Sequence, residues 1–275
     1  NGAGRLMDIE LLAQTAALRA ADPARQVERQ IHAGVKSGFL SLSDERILLD
    51  AYRVMWRLQA GARRVLVSGP SQAADLTVVL GANDHLLTDQ AIVSNASCTT
   101  NALAPLARLI HREWGVVTGS MTTIHCYTGS QPTVDAPAAD YPRSRAAALS
   151  MVPTTTSASR LLDQVLPEIA GRIQGSAVRV PTASVSCVDL AVMTERAATV
   201  EAVTAAFRAA GGVIGATDRP LVSTDLRARP ESIVMACPET RVTAGGMLRV
   251  FGWYDNEWGF SNRMADTAVA MGKLL

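Results

Sequence analysis

The chain has 275 residues, enough for one large or two ordinary domains around a sizeable core. Hydrophobic residues make up 48% of it and charged residues 19%, which excludes a disordered chain. A formal net charge of +1 leaves no electrostatic case for nucleic acid or an anionic membrane surface as partner.

The chain opens on Asn1, Gly2, Ala3, Gly4 and Arg5, a glycine pair that suits a tight turn receiving a pyrophosphate ahead of a helix. Met7 stands where a dinucleotide fingerprint places its third glycine. Residues 7–58 carry a helical pattern: Ile9, Leu12 and Ala16 share a face, as do Val27 and Ile31, and Leu48, Tyr52 and Met55. Asp22 and Pro23 break it, as does the stretch 34–43. No strand in this region is able to carry a nucleotide-binding sheet.

The pattern changes after Gly61. RVLVS (64–68) and LTVVL (76–80) are short apolar runs bounded by Gly, Pro, Ser and Asn, as buried parallel strands are. AIV (91–93) ends a further strand, and the apolar run 102–110 reads as a helix. Between them lies SNASCTTN (94–101), which puts Cys98 at a strand-to-helix turn. Free backbone N–H groups and the positive end of the helix dipole face such a position. That environment lowers a thiol pKa and makes a nucleophile of it.

Residues 115–128 alternate as a strand does and deliver His125 near its end. A polar loop follows over 129–145. Leu161, Val165 and Ile169 mark an amphipathic helix, 176–194 is β-rich, and a helix covers 200–210. A strand over 247–253 and a closing helix over 262–275 complete the chain.

Cys98, Cys126, Cys187 and Cys237 show neither C-x-x-C spacing nor a pairing pattern, which points away from metal and disulfide frameworks and towards a reducing cytoplasm. No apolar run reaches the roughly 18 residues of a membrane span, and nothing at the start reads as a signal peptide. The first residue is Asn, so the natural start of the chain is expected to lie upstream.

Two features give Cys98 a chemical setting. His125, arriving on a separate strand, is an imidazole able to take the thiol proton and to act later as acid or base on a hemithioacetal. Thr154 to Ser157 precede a helix and offer hydroxyls and N-terminal amides to a phosphate, while Arg143, Arg145 and Arg179 offer guanidinium forks.

Together SNASCTTN, MTTIHCYT (121–128), PTTT (153–156), RVPT (179–182) and WYDNEWGFSNR (253–263) resemble the glyceraldehyde-3-phosphate dehydrogenase family. The resemblance runs from about residue 59 to the end, with several motifs in order. It implies a partial Rossmann-type nucleotide-binding domain over 1–96, an α+β catalytic domain with a mixed sheet over 97–252, and a closing helix over 253–275 that packs back on the first domain. The fold class is thus α/β.

The resemblance implies roles residue by residue. Cys98 falls on the catalytic thiol and His125 on its activating histidine. Ser97 and Thr99 flank the thiol where substrate or inorganic phosphate is contacted. Thr128 and Arg179 fall on the substrate-phosphate positions, Thr156 and Ser157 on the attacking-phosphate site, and Arg143 or Arg145 on its basic neighbour. Gly2, Gly4, Arg5 and Leu6 correspond to the pyrophosphate turn, Ser68 to a cofactor-contacting loop, and Asn256 to the grip on the nicotinamide carboxamide.

The activity implied is phosphorylating oxidation of glyceraldehyde 3-phosphate through a cysteine thioester, with NAD or NADP as hydride acceptor. The partners are the phosphorylated aldehyde and inorganic phosphate, and the assembly is a homotetramer with loop 129–145 at a subunit contact. A related activity oxidises erythrose 4-phosphate with water as acyl acceptor. A cofactor-incompetent relative acting as a binding or assembly partner is the alternative from a different class. It is motivated by the short interval before Gly61, where the resemblance places the rest of the first βαβ units. Ser157 also replaces a usual glycine, Ser184 an asparagine, and Ala102 a frequent second cysteine.

Overall fold

The computed structural model describes Ala13 and residues 27–60, 63–138 and 140–274. The glycine turn at 1–5 and the helical pattern over 7–12 and 14–26 lie outside them. The chain divides into two compact units. The smaller takes in the chain up to Val67, with Ser71–Leu76 and Gln90–Val93. The larger takes in Ser68–Pro70, Thr77–Asp89 and the chain from Ser94 on.

In the smaller unit, helices α1 (Val27–Lys36) and α2 (Leu42–Ala60) pack against each other. The buried Ile31 meets Val27, Leu48 and Tyr52, the faces that the apolar spacing marks. Ser41 starts α2 by donating and accepting hydrogen bonds with Asp44. Strands β1 (Val65–Val67), β2 (Leu76–Thr77) and β3 (Ile92–Ser94) form a three-stranded sheet in the order β1-β3-β2. The Asp75 carboxylate accepts from the N–H groups of Ala91 and Ile92 and holds its register. The run 76–80 is strand only in its first two residues, because the amide of Asn83 folds back onto Val79 N and Thr77 O.

The larger unit is built on an eight-stranded mixed sheet. Its strands are β4 (Val116–Cys126), β5 (Val152–Thr154), β6 (Ile173–Val180), β7 (Ser186–Thr194), β8 (Ile214–Thr217), β9 (Ile233–Ala236), β10 (Arg241–Val242) and β11 (Leu248–Tyr254). They lie in the order β5-β6-β4-β7-β11-β9-β8, with β10 beside β11. Two pairs are parallel, β4 with β6 and β8 with β9; the other pairs are antiparallel.

Helices α3 (Cys98–Trp114), α4 (Ala158–Val165) and α5 (Val200–Ala210) pack on this sheet, and the closing helix α6 (Trp258–Gly272) packs on α3. The pleat explains the core. On β11, Leu248, Val250 and Tyr254 are buried while Arg249, Phe251 and Trp253 are not, the alternation of a sheet covered on one face. The same alternation turns Met121, Thr123 and His125 of β4 inward. Leu103, Leu106, Leu162 and Phe207 close the helix side of that core. Gly115 ends α3 at φ 70°, the left-handed region that favours glycine.

The sequence pattern misses β5, β8, β9 and β10, carries the helix of Leu161 and Val165 on to Ile169 although it ends at Val165 ahead of Pro167, and places the start of the closing helix four residues late. The missed strands have two to four residues, too few for a period to register. The helix begins at Trp258 because the Asp255 carboxylate accepts from the N–H groups of Glu257 and Trp258, a start signal displaced from the apolar pattern.

Candidate functional site

Cys98 is the first residue of α3, and its turn is held from several sides. Ser97 caps the helix, its Oγ accepting from Thr100 N at 3.1 Å. Ala96 adopts φ 56°, and its N–H donates to Ser94 Oγ, which in turn donates to Gly69 O. Asn101 Nδ2 donates to Asn95 O and Ser97 O. Thr267 of α6 donates to Asn95 Oδ1 at 2.8 Å. A non-glycine residue in the left-handed region costs about 1–3 kcal/mol and survives only where its surroundings over-determine it, as these bonds do.

The parallel register of β4 and β6 sets His125 opposite Arg179. His125 Nε2 lies 3.5 Å from Cys98 Sγ. Its Nδ1 lies 2.7 Å from Cys126 O and 2.6 Å from Arg179 Nη1, which also donates to Cys126 O at 3.0 Å. The Tyr254 ring stands edge-on to the imidazole with centroids 5.9 Å apart. Tyr254 OH lies 2.9 Å from Thr99 Oγ1 and 2.8 Å from Thr123 Oγ1. Tyr254 OH thus joins the hydroxyls of Thr99, next to the thiol in sequence, and Thr123 in one buried chain.

Helix-end placement predicts a lowered thiol pKa, but burial outweighs it and pushes Cys98 up to about 11, against the hydrogen bonds of Thr99 and the charge of Arg179. Burial first, and the Arg179 guanidinium second, push His125 down to about 4, against the Cys126 carbonyl. Thiol and imidazole are thus both neutral in this arrangement. Tyr254→Phe removes the middle hydroxyl of the chain, a net loss of about 1 kcal/mol or somewhat more. Alkylation of Cys98 at fixed pH is expected to slow roughly tenfold, with the melting temperature recorded alongside to separate loss of fold.

The other residues singled out from the sequence fall into separate groups. Arg143 donates to Thr154 Oγ1 and Thr155 Oγ1 at 3.0 and 3.1 Å and pairs with Asp140. Arg145 pairs instead with Asp135 at 3.1 Å. Thr156 Oγ1 accepts from Ala158 N, and Ser157 stands at the N-cap position of α4 without a side-chain cap bond. Thr128 is half-buried, with its Oγ1 2.9 Å from Ser130 Oγ, and Ser68 is exposed. Among the described residues no hydrogen bond joins the Arg143 group to the Cys98–His125–Arg179 group. Gly2, Gly4, Arg5 and Leu6 lie outside the described residues.

Asn256 is buried. Its Oδ1 accepts from Cys126 Sγ–H at 3.1 Å and from Ser186 Oγ at 3.3 Å. Ser186 Oγ already accepts from Cys126 N, so its own hydrogen is free to donate. Burial holds the Cys126 thiol protonated by raising its pKa. The amide orientation follows: oxygen inward, nitrogen outward, with Nδ2 donating to Glu257 Oε1 at 3.3 Å. Sequence reasoning passed over Tyr254, Ser186 and Cys126. The alternation along 248–254 marks Tyr254 as inward-facing, whereas nothing local marks Ser186 or Cys126.

Among the described residues, no group of three or more His, Cys, Asp or Glu side chains could hold a metal ion, and no helix is long and apolar enough to cross a membrane. Residues 97–256 match the family described as glyceraldehyde 3-phosphate dehydrogenase, C-terminal domain. A glyceraldehyde-3-phosphate dehydrogenase of Cereibacter sphaeroides is 54% identical over 224 residues, covering 79% of this chain and 67% of the relative. One from Xanthobacter flavus is 52% identical over 223 residues, with the same shares covered. One from Zymomonas mobilis is 46% identical over 237 residues, covering 83% of this chain and 70% of the relative.

Proposed function

Because this chain belongs to the glyceraldehyde-3-phosphate dehydrogenase family, we propose that it catalyses phosphorylating oxidation of glyceraldehyde 3-phosphate to 1,3-bisphosphoglycerate through a thioester on Cys98. The observation that carries the reading is the approach of Cys98 Sγ and His125 Nε2 to 3.5 Å at the start of α3, with Arg179 against the same imidazole.

Cys98 attacks the aldehyde carbon as its proton passes to His125, and the helix-start N–H groups face the oxygen that becomes the hemithioacetal oxyanion. His125 returns that proton to the oxyanion to give the hemithioacetal hydroxyl, and takes it back from the hydroxyl as the carbon is oxidised. Thr128 and Arg179 hold the phosphate of the aldehyde, while Thr156, Ser157 and Arg143 hold the inorganic phosphate that releases the acyl group. Arg143 suits that task because two threonine hydroxyls already orient its guanidinium.

NAD or NADP supplies the hydride acceptor. Asn256 fits its carboxamide: two internal donors occupy Oδ1, so the side chain presents an N–H, of which Glu257 takes one at 3.3 Å. Gly2, Gly4, Arg5 and Leu6 would form the pyrophosphate turn, and Ser68 would contact the cofactor from its loop. A homotetramer in a reducing cytoplasm completes the reading.

The test combines two measurements on the whole chain. Calorimetric titration with NAD and with NADP is expected to show binding of one or both. The protein with bound cofactor, inorganic phosphate and glyceraldehyde 3-phosphate is then expected to give reduced-cofactor absorbance. Binding without turnover on this aldehyde, set beside turnover of erythrose 4-phosphate, would transfer the reading to the four-carbon substrate. Absence of binding with either cofactor would sink the dehydrogenase reading altogether.

A further inference from the structure

We propose that Thr267 of the closing helix α6 is a positioning residue for Cys98. Through the side chain of Asn95, 172 positions away in sequence, it holds the turn that aims the thiol. The inference rests on the reading of Cys98 as the nucleophile.

Asn95 immediately precedes the left-handed Ala96 and is 1% exposed, while Thr267 is fully buried. A side-chain amide brings one acceptor and two donors into such a site. The Thr267 hydroxyl donates to Asn95 Oδ1 at 2.8 Å, whereas Asn95 Nδ2 has no partner among the described residues. Turning the amide over changes nothing: Nδ2 would then donate to the same hydroxyl, and Oδ1 would be the atom left over. The amide therefore depends on one hydroxyl. Asn101 beside it is held differently, since its Nδ2 donates to both Asn95 O and Ser97 O. A threonine within a helix can satisfy its hydroxyl on the carbonyl one turn earlier. The hydroxyl of Thr267 instead leaves its helix for the turn.

Loss of that hydroxyl leaves a buried amide with no partner at either end, the costly side of hydrogen bonding. Such a group moves until it meets water or another partner. The strain of the turn lies next to it: Ala96, at φ 56°, has the ordinary regions of backbone space to relax into. Only Ser97 separates Ala96 from Cys98, so relaxation at Ala96 re-aims the first residue of α3. His125 is carried on β4 and does not follow. A misplacement of about an ångström costs up to about a hundredfold in rate. Groups that hold substrate from other elements stay where they are, so the loss falls on kcat and spares KM.

The test compares three variants of the whole chain. Thr267→Val keeps the shape and removes the hydroxyl, and Thr267→Ser keeps the hydroxyl. Met271→Ala removes a buried side chain one turn further along α6. Amide hydrogen exchange reads the turn itself. The N–H of Ala96 is bonded to Ser94 Oγ, that of Asn101 to Ser97 O, and Leu190 lies within β7 as reference. In Thr267→Val the first two are expected to exchange about tenfold faster or more relative to Leu190, the mark of local opening. In Met271→Ala the three should change together, and Thr267→Ser should follow the wild type. With glyceraldehyde 3-phosphate, kcat of Thr267→Val is expected to fall by about 10- to 100-fold with KM within about twofold. Thr267→Ser and Met271→Ala should stay near the wild type.

Equal acceleration of all three amides in Thr267→Val overturns the inference. So does an unchanged kcat in that variant, or a Thr267→Ser variant no better than Thr267→Val. A wild type that does not turn over the aldehyde sinks the dehydrogenase reading and leaves the exchange comparison to decide this inference. If Thr267→Val does not fold, the wild type decides by nuclear magnetic resonance. A slowly exchanging Thr267 hydroxyl proton with an Overhauser contact to the Asn95 amide supports the inference, and absence of that contact overturns it.

Discussion

Cys98→Ser is expected to lower kcat/KM by a factor on the order of 10⁴ to 10⁶, the range seen when a covalent nucleophile is removed while the binding groups stay. Serine keeps the size and the helix-start position, so Ser97, Thr99 and the turn at Ala96 have no reason to move. What it loses is acidity, since a hydroxyl beside a neutral imidazole has no accessible anion. His125→Asn is expected to cost about 10² to 10⁴, the worth of a positioned base, while leaving the thiol present and alkylatable at high pH. The double variant should be little worse than Cys98→Ser, because the two groups act on one proton. Steady-state kinetics with NAD or NADP, phosphate and glyceraldehyde 3-phosphate check all three. Retention of activity in Cys98→Ser would remove the thioester from the mechanism.

The second large effect is on stability. Phe207 of α5 is 1% exposed and belongs to the core cluster that lies between the helices and the eight-stranded sheet. Phe207→Ala removes apolar surface and leaves a cavity that a close-packed interior closes only in part, at a cost of about 3–5 kcal/mol. Against a total stability of about 5–15 kcal/mol, that is a large fraction. The melting temperature is expected to fall by roughly 6–20 °C in calorimetry. Phe207→Leu, which refills most of the volume, should recover much of it. A fall of only a degree or two in Phe207→Ala would mean that α5 is not packed as described.

How much of this was legible in the residues varies with range. The turn at Cys98 and the strand that delivers His125 follow from local patterns: a β-branched run, an apolar run after the cysteine, and alternation along 115–128. The family motifs extended that reading to Arg179, Thr156 and Asn256. The direction of the Cys98 pKa was not legible. A helix start lowers it through a near and additive term, but desolvation depends on which side chains close over the sulfur, and those come from β4, β6 and β11. Tyr254 and Ser186 were hidden for the same reason, since their partners are fixed by the registers of β11 with β7 and of β7 with β4. Strands β8 and β9 were hidden by brevity instead.

The hydroxyl chain behind the thiol has a consequence for the order of folding. Tyr254 meets Thr99 across 155 positions of sequence and Thr123 across 131, while Cys98 and His125 are only 27 apart. Contacts of such separation carry a loop-closure cost that must be met before they return any stabilisation, and they form late. α3 and β4 are close in sequence, whereas the hydroxyl chain through Tyr254 closes only once β11 has docked against β7. The bonds of Tyr254 to Thr99 and Thr123 are therefore expected among the last contacts of the site to form on refolding.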